Sequence, residues 1–267
     1  MAAMLHHVYP AFSCDTPDMP PSAGGAAAHE DAVRRFAATL PGSYRMHFSW
    51  TQVARHACIA LARGVRRAHV DSFGSMSRMT PLCIVADDCP GLLWLISVAL
   101  IVHRLDVLKA HVYCRRRPDG RTEAFDLIWV RRAPGAPGEE PISVNEIRAI
   151  GELLEALLTG RADAHARAGS EVTTPGMDQE PPRVTFVMDA ESNASLLAIE
   201  APDRPGLLLA IARALFEAGV QIVRAEVATV GARALDTFYV MELDGGAITP
   251  ERRAEIEIAA RAALRCL

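Results

Sequence analysis

Apolar residues spaced three and four apart open the regular part of the chain: Val33, Phe36, Ala37 and Leu40 mark one face of a helix. A second helix is expected from Ser49-Trp50-Thr51-Gln52, which has capping-box spacing, to about Arg63, ahead of Gly64. The period then shortens to that of strands. Leu82 to Ala86 and Leu196 to Glu200 each read as a strand running into a turn, and each is followed by a helix-like apolar stretch.

These two strand-to-helix passages are copies. Asp87-Asp88-Cys89-Pro90-Gly91-Leu92-Leu93 aligns with Pro202-Asp203-Arg204-Pro205-Gly206-Leu207-Leu208, 115 residues on. The same offset pairs Asp106-Val107 with Gln221-Ile222 at the start of a second strand. After a longer hairpin in the first copy, Asp126 to Val130 matches Asp236 to Val240 in a third strand. Each copy closes on a helix with a good start. Ser143-Val144-Asn145-Glu146 is a capping box, and Thr249-Pro250 sets an N-cap before proline at the first helical position. Ile147, Ile150, Leu154 and Leu157 stripe the first of these helices. Strand, helix, strand, strand, helix, with one more strand, is the ferredoxin-like split βαβ, an α+β fold with an antiparallel sheet and helices on one face.

The expected organisation is a disordered N-terminus at 1–30, a helical arm at 31–64, one unit at 65–160, a flexible linker at 161–182 and the second unit at 183–267. The missing fourth strand is expected to precede each copy, from Val65 to Ser72 and from Arg183 to Met188, in a permuted order. One helix stands out. Trp94, Val98 and Val102 put an apolar stripe where the second copy has Leu209, Arg213 and Glu217, so that helix must be covered on both sides. The arm, through Phe36, Leu40, Val53, Ala57 and Leu61, is the expected cover, and a second subunit is the alternative.

Composition narrows the function classes. Thirty-two acids against 28 bases give a net charge of −4, which argues against a nucleic-acid surface built on clustered cations. The six cysteines form no C-x-x-C pair and the histidines no ligand spacing, so neither a metal site, a cofactor nor a disulfide framework is expected. No basic leader precedes the first apolar stretch, and the longest uncharged apolar run, Gly91 to Val102, is too short for a bilayer; a cytoplasmic location without membrane association is expected.

The strand followed by Asp203-Arg204-Pro205-Gly206-Leu207-Leu208 and then Ala218-Gly219-Val220-Gln221-Ile222 resembles an ACT domain. The pair of copies resembles the paired ACT domains of the bacterial PII uridylyltransferase/uridylyl-removing enzymes. Leu40-Pro41-Gly42-Ser43-Tyr44 and Val53-Ala54-Arg55-His56 resemble the segment preceding them. No His-Asp dipeptide of a metal-dependent HD domain occurs, and no aspartate pair follows Phe73-Gly74-Ser75 as a nucleotidyltransferase would need.

The resemblance therefore implies a non-catalytic regulatory sensor for a small molecule, an amino acid such as glutamine, acting on a protein partner or a homodimer. The rivals are a regulatory subunit or fragment of a uridylyltransferase, and an interaction scaffold without ligand. It also implies the site residues: Asp203, Arg204, Pro205, Gly206 and Leu207 with Gln221 and Ile222 in the second copy, and Asp88, Cys89, Gly91 and Leu92 with Asp106 and Val107 in the first. A glycine at the helix start lets a ligand approach free backbone N–H groups. Arg204 favours an anionic ligand, whereas Asp87 and Asp88 disfavour one. A composite site, the second loop facing Asp106, would combine both charges of a zwitterion. Cys89 at a helix start is a candidate reactive thiol, with a plain loop role as the alternative. Asp126 and Asp236 are read as hairpin hydrogen-bonding residues.

Overall fold

The structure, a computed structural model, describes residues 25–74, 79–117, 119–136, 141–168, 181–187 and 195–265. Most of the expected disordered N-terminus and linker lies outside them. In chain order the elements are α1 (Gly25–Ala38), α2 (Gly42–His47), α3 (Trp50–Ala62), β1 (Ala68–Ser72), β2 (Thr80–Asp87), α4 (Leu92–Val102), β3 (Leu105–Arg116), β4 (Thr122–Arg132), α5 (Val144–Leu158), α6 (Ala164–Ala168), β5 (Arg183–Val187), β6 (Ser195–Pro202), α7 (Leu207–Glu217), β7 (Val220–Val230), β8 (Arg233–Glu242) and α8 (Pro250–Arg265). Both expected capping boxes form, Ser49 with Gln52 and Ser143 with Glu146.

The strands make one antiparallel sheet in the order β1-β2-β4-β3-β7-β8-β6-β5. Each half runs outward-in through the same sequence of strands. The early strand completes its own half in both: β1 pairs with β2, from Ala68↔Ala86 to Ser72↔Leu82, and β5 with β6, from Arg183↔Glu200 to Val187↔Leu196. The order is permuted as expected. Both innermost strands carry a register shift at the same place, Val107/Lys109 in β3 and Ile222/Arg224 in β7. Two half-sheets joined edge to edge were not anticipated. Lys109↔Ala228 to Val112↔Ala225 form the joint between β3 and β7.

That joint corrects the expected place of the arm. It brings α4 and α7 side by side on one face of the sheet, so the Trp94 stripe is covered by the other half. Trp94 stacks on Phe216 with ring centroids 5.3 Å apart and meets His165 at 4.8 Å. Val98 is buried, while Val102 stays partly exposed. His165 belongs to α6, a short helix inside the stretch expected to be linker; its Ala164 and Ala168 are buried against the core, so that stretch is not structureless throughout. Apolar contacts that close offset the ordering of one turn of chain.

The arm lies on the opposite face, over the first half only. Val33, Phe36, Leu40, Val53 and Ala57 pack with Cys83, Val85, Tyr113, Phe125 and Leu127, whereas Leu61 is exposed. Phe36 meets Phe125 edge-on at 5.3 Å, and the Tyr44 hydroxyl lies 2.8 Å from His56 Nδ1. Burial pushes the His56 imidazole down to about 3, so it stays neutral. At the arm's end the Arg63 guanidinium, itself buried, ion-pairs with Asp87 and lies 2.5 Å from Glu123. The strands record this cover in their composition. β2, enclosed on both faces, reads Thr-Pro-Leu-Cys-Ile-Val-Ala with every position buried; β6, covered on one face, alternates buried and half-buried along Ser195–Pro202.

One backbone position differs between the halves at some cost. After α7 the chain turns through Gly219 at φ +74°, and the equivalent position after α4 is Arg104 at φ +53°. A side chain in the left-handed region is strained. Arg104→Gly is expected to stabilise the protein by about 0.5–1 kcal/mol, the relief of strain being partly offset by the freer unfolded chain. Urea unfolding would read this as a higher midpoint at unchanged slope.

Candidate functional site

Both halves send their first strand into a Pro-Gly turn whose glycine is left-handed, Gly91 at φ +78° and Gly206 at φ +82°, directly before a helix. At Gly91 a second constraint operates. A Cβ there would come within 2.6 Å of the Phe216 ring, so the close packing of the two halves requires glycine. Because β3 and β7 pair antiparallel, each loop faces the start of the other half's inner strand. Two pockets result, related by the same approximate twofold that relates the halves.

The first pocket joins Asp203, Arg204, Gly206 and Leu207 to Asp106 and Val107. This is the composite arrangement that the family resemblance implies. The buried Asp106 carboxylate accepts two hydrogen bonds from Arg131, at 3.0 and 2.8 Å, and Arg131 reaches to 3.9 Å from Asp203. Burial raises the Asp106 carboxyl against the lowering effect of Arg131, and Asp203 adds to the rise. The second pocket joins Asp88, Cys89, Gly91 and Leu92 to Gln221 and Ile222. So Gln221 and Ile222 serve the first copy's loop, and Asp106 and Val107 the second's. Pro205 shapes its turn without lining either space.

The pockets differ in charge. Among the described residues Arg204 lines the first and no arginine lines the second, where Asp88 faces Cys114. Burial raises the Asp88 carboxyl, which accepts a hydrogen bond from the Cys114 thiol. Asp87 is turned away to Arg63. The candidate thiol Cys89 is not activated: burial raises it, and Asp88 and Asp87 raise it further.

Asp126 and Asp236, read from sequence as hairpin residues, line the second and first pocket respectively. Both are almost wholly buried. The Ala228 amide faces Asp236, yet neither carboxylate oxygen makes a hydrogen bond of good geometry, and one oxygen of Asp126 is likewise without a partner. Burial pushes Asp236 up to about 7 and Asp126 well above its ordinary value. The duplication of an acid within two apolar strands was the available signal for these residues. Arg131 had none.

Burial of Asp236 has a pH signature. Its folded value, about 7, lies above the unfolded 3.8, so the native state holds the proton more tightly and stability falls as pH rises through that window. Asp236→Asn is expected to flatten that fall and to leave the protein more stable than wild type at pH 8. Denaturation at a series of pH values checks it; parallel curves would show that Asp236 is not protonated in the native state.

Comparison with known proteins gives the context. A family model described as ACT domain matches residues 195–260. The bifunctional uridylyltransferase/uridylyl-removing enzyme of Caulobacter vibrioides is 30% identical over 236 residues, 84% of this chain and 24% of that protein. The corresponding protein of Gluconobacter oxydans is 31% identical over 238 residues, 85% of this chain and 24% of its own length. That of Streptomyces coelicolor is 33% identical over 181 residues, 66% and 21%. The chain thus spans about a quarter of the length of these relatives. No helix among the described residues is long and apolar enough to cross a membrane. The chain is an ACT-domain protein, homologous over most of its length to one region of the bifunctional uridylyltransferase/uridylyl-removing enzymes.

Proposed function

We propose that the chain is a cytoplasmic, non-catalytic sensor made of two ACT-type units, which binds a small zwitterion, an amino acid such as glutamine, in the pocket between the 203–207 loop and Asp106. The observation that carries this reading is the charge pattern of that pocket. Arg204 and the N-terminus of α7 suit a carboxylate, while the Asp106 carboxylate suits an ammonium. The second pocket, with Asp88, Asp126 and Gln221, lacks the cationic part, so a carboxylate-bearing ligand prefers the first.

The free space in the first pocket is about 30 Å³, room for a water or two. An amino acid therefore enters only with movement of the loop or of the seam between the halves, and that movement is what a protein partner or a second copy would read. The same small volume favours a second reading, a scaffold without ligand. A third, a regulatory subunit or fragment of a uridylyltransferase, is supported by the region of homology.

Calorimetry of the full chain against the twenty amino acids tests the proposal. One ligand is expected, bound at one dominant site, with affinity lowered about 10–100-fold by Asp106→Asn, the loss of a charge-assisted hydrogen bond. Gln221→Ala should leave that site unchanged. Absence of heat with every amino acid would refute sensing and support the scaffold; co-purification with a nucleotidyltransferase would support the subunit.

A further inference from the structure

On the arm side of the sheet, away from both pockets, the joint between the halves carries a second cluster. His111 of β3 is the register partner of Glu226 of β7, and the two are equivalent positions of the duplicated unit, 115 residues apart. The approximate twofold therefore passes between them. His47, the last residue of α2, adds its ring at 4.7 Å from that of His111. One ligand atom from each of His47, His111 and Glu226 lies within 4.8 Å of the others.

We propose that His47, His111 and Glu226 bind one divalent transition-metal ion of the zinc class. Two imidazoles and a carboxylate are a donor set such ions take, with a fourth position left for water.

The strongest support is His111 itself. It is 5% exposed, set among Phe48, Tyr113 and Trp129, and neither of its ring nitrogens has a hydrogen-bond partner. A buried imidazole with both nitrogens unsatisfied is costly, and ligation removes part of that cost. Burial keeps the ring neutral, with its lone pair available. His47 is exposed and gives the ion an entry path.

Two cations face the cluster. Arg224 ion-pairs with Oε1 of Glu226, and the Lys109 ammonium, which also feels the Glu226 charge, sits 4.9 Å over the Trp129 ring. Both weaken the site electrostatically. Occupation would tie α2, β3 and β7 together, joining the arm to both halves at once.

The test is titration of the full chain with Zn²⁺ alone, by calorimetry and by thermal unfolding. One equivalent is expected, with a rise in the unfolding midpoint that scales with free Zn²⁺. His47→Ala, at an exposed position that spares the fold, and Glu226→Gln should each weaken binding at least tenfold, the lower bound for disturbing a metal's supporting groups. Both should also abolish the midpoint rise, while Lys109→Gln should tighten binding. Wild-type protein that takes up no Zn²⁺, or binding left unchanged by His47→Ala because other histidines hold the ion, would overturn the proposal.

Discussion

The short run of backbone pairing from Lys109↔Ala228 to Val112↔Ala225 is the interaction on which the rest of the molecule depends. Without it there would be two small sheets, each with an exposed inner edge. With it, α4 and α7 become neighbours, Trp94 finds Phe216, and Gly91 is held to a hydrogen side chain. The same pairing sets each Pro-Gly loop against the other half's strand, so neither half alone contains a whole pocket. The pockets, the α4–α7 contact and the His111–Glu226 cluster are therefore consequences of one edge-to-edge contact.

The two halves are alike in backbone and different in chemistry. Both inner strands kept their register shift and both third strands kept a buried acid. The loops did not keep their charges: one carries Arg204 into its pocket, while in the other Asp87 is taken up by Arg63 of the arm. The arm thus reaches the second pocket's loop through the ion pair of buried Arg63 with the half-exposed Asp87, and only on that side.

Much of this was legible in the sequence. The repeat of Asp203 to Leu208 against Asp88 to Leu93 exposed the units, and the early strands could be placed because each copy lacked one. The composite pairing with Asp106 came from the resemblance to ACT domains together with the charge of the 203–204 loop. What stayed hidden depends on surfaces that meet without a local mark. An edge strand pairs through backbone groups common to every residue, so nothing in Leu105 to Arg116 names β7 as its neighbour. The stripe of Phe36 and Leu40 says that the arm is covered, not by which face. The mark of that face lay elsewhere, in the unbroken apolar run of Leu82 to Ala86, which only a strand enclosed on both sides would carry. Asp126 and Asp236 each face a backbone amide across their hairpin, Tyr113 and Ala228, as the sequence reading has it; that they also line pockets was hidden, because the pockets form only where the two halves meet.

The joint is also a matter of timing. A ribosome delivers the chain from the arm onward, and the first half can close its two-sided core as soon as α5 has emerged. Its inner edge then has no partner until β7 is made. At about 5–20 residues per second the wait between the end of β3 and the start of β7 is on the order of 5–20 s. Through that interval β3 is an open edge, and an open edge invites pairing with other chains. Lys109, a charged residue within the stretch of β3 that pairs with β7, is placed where it would discourage such pairing until the correct strand arrives.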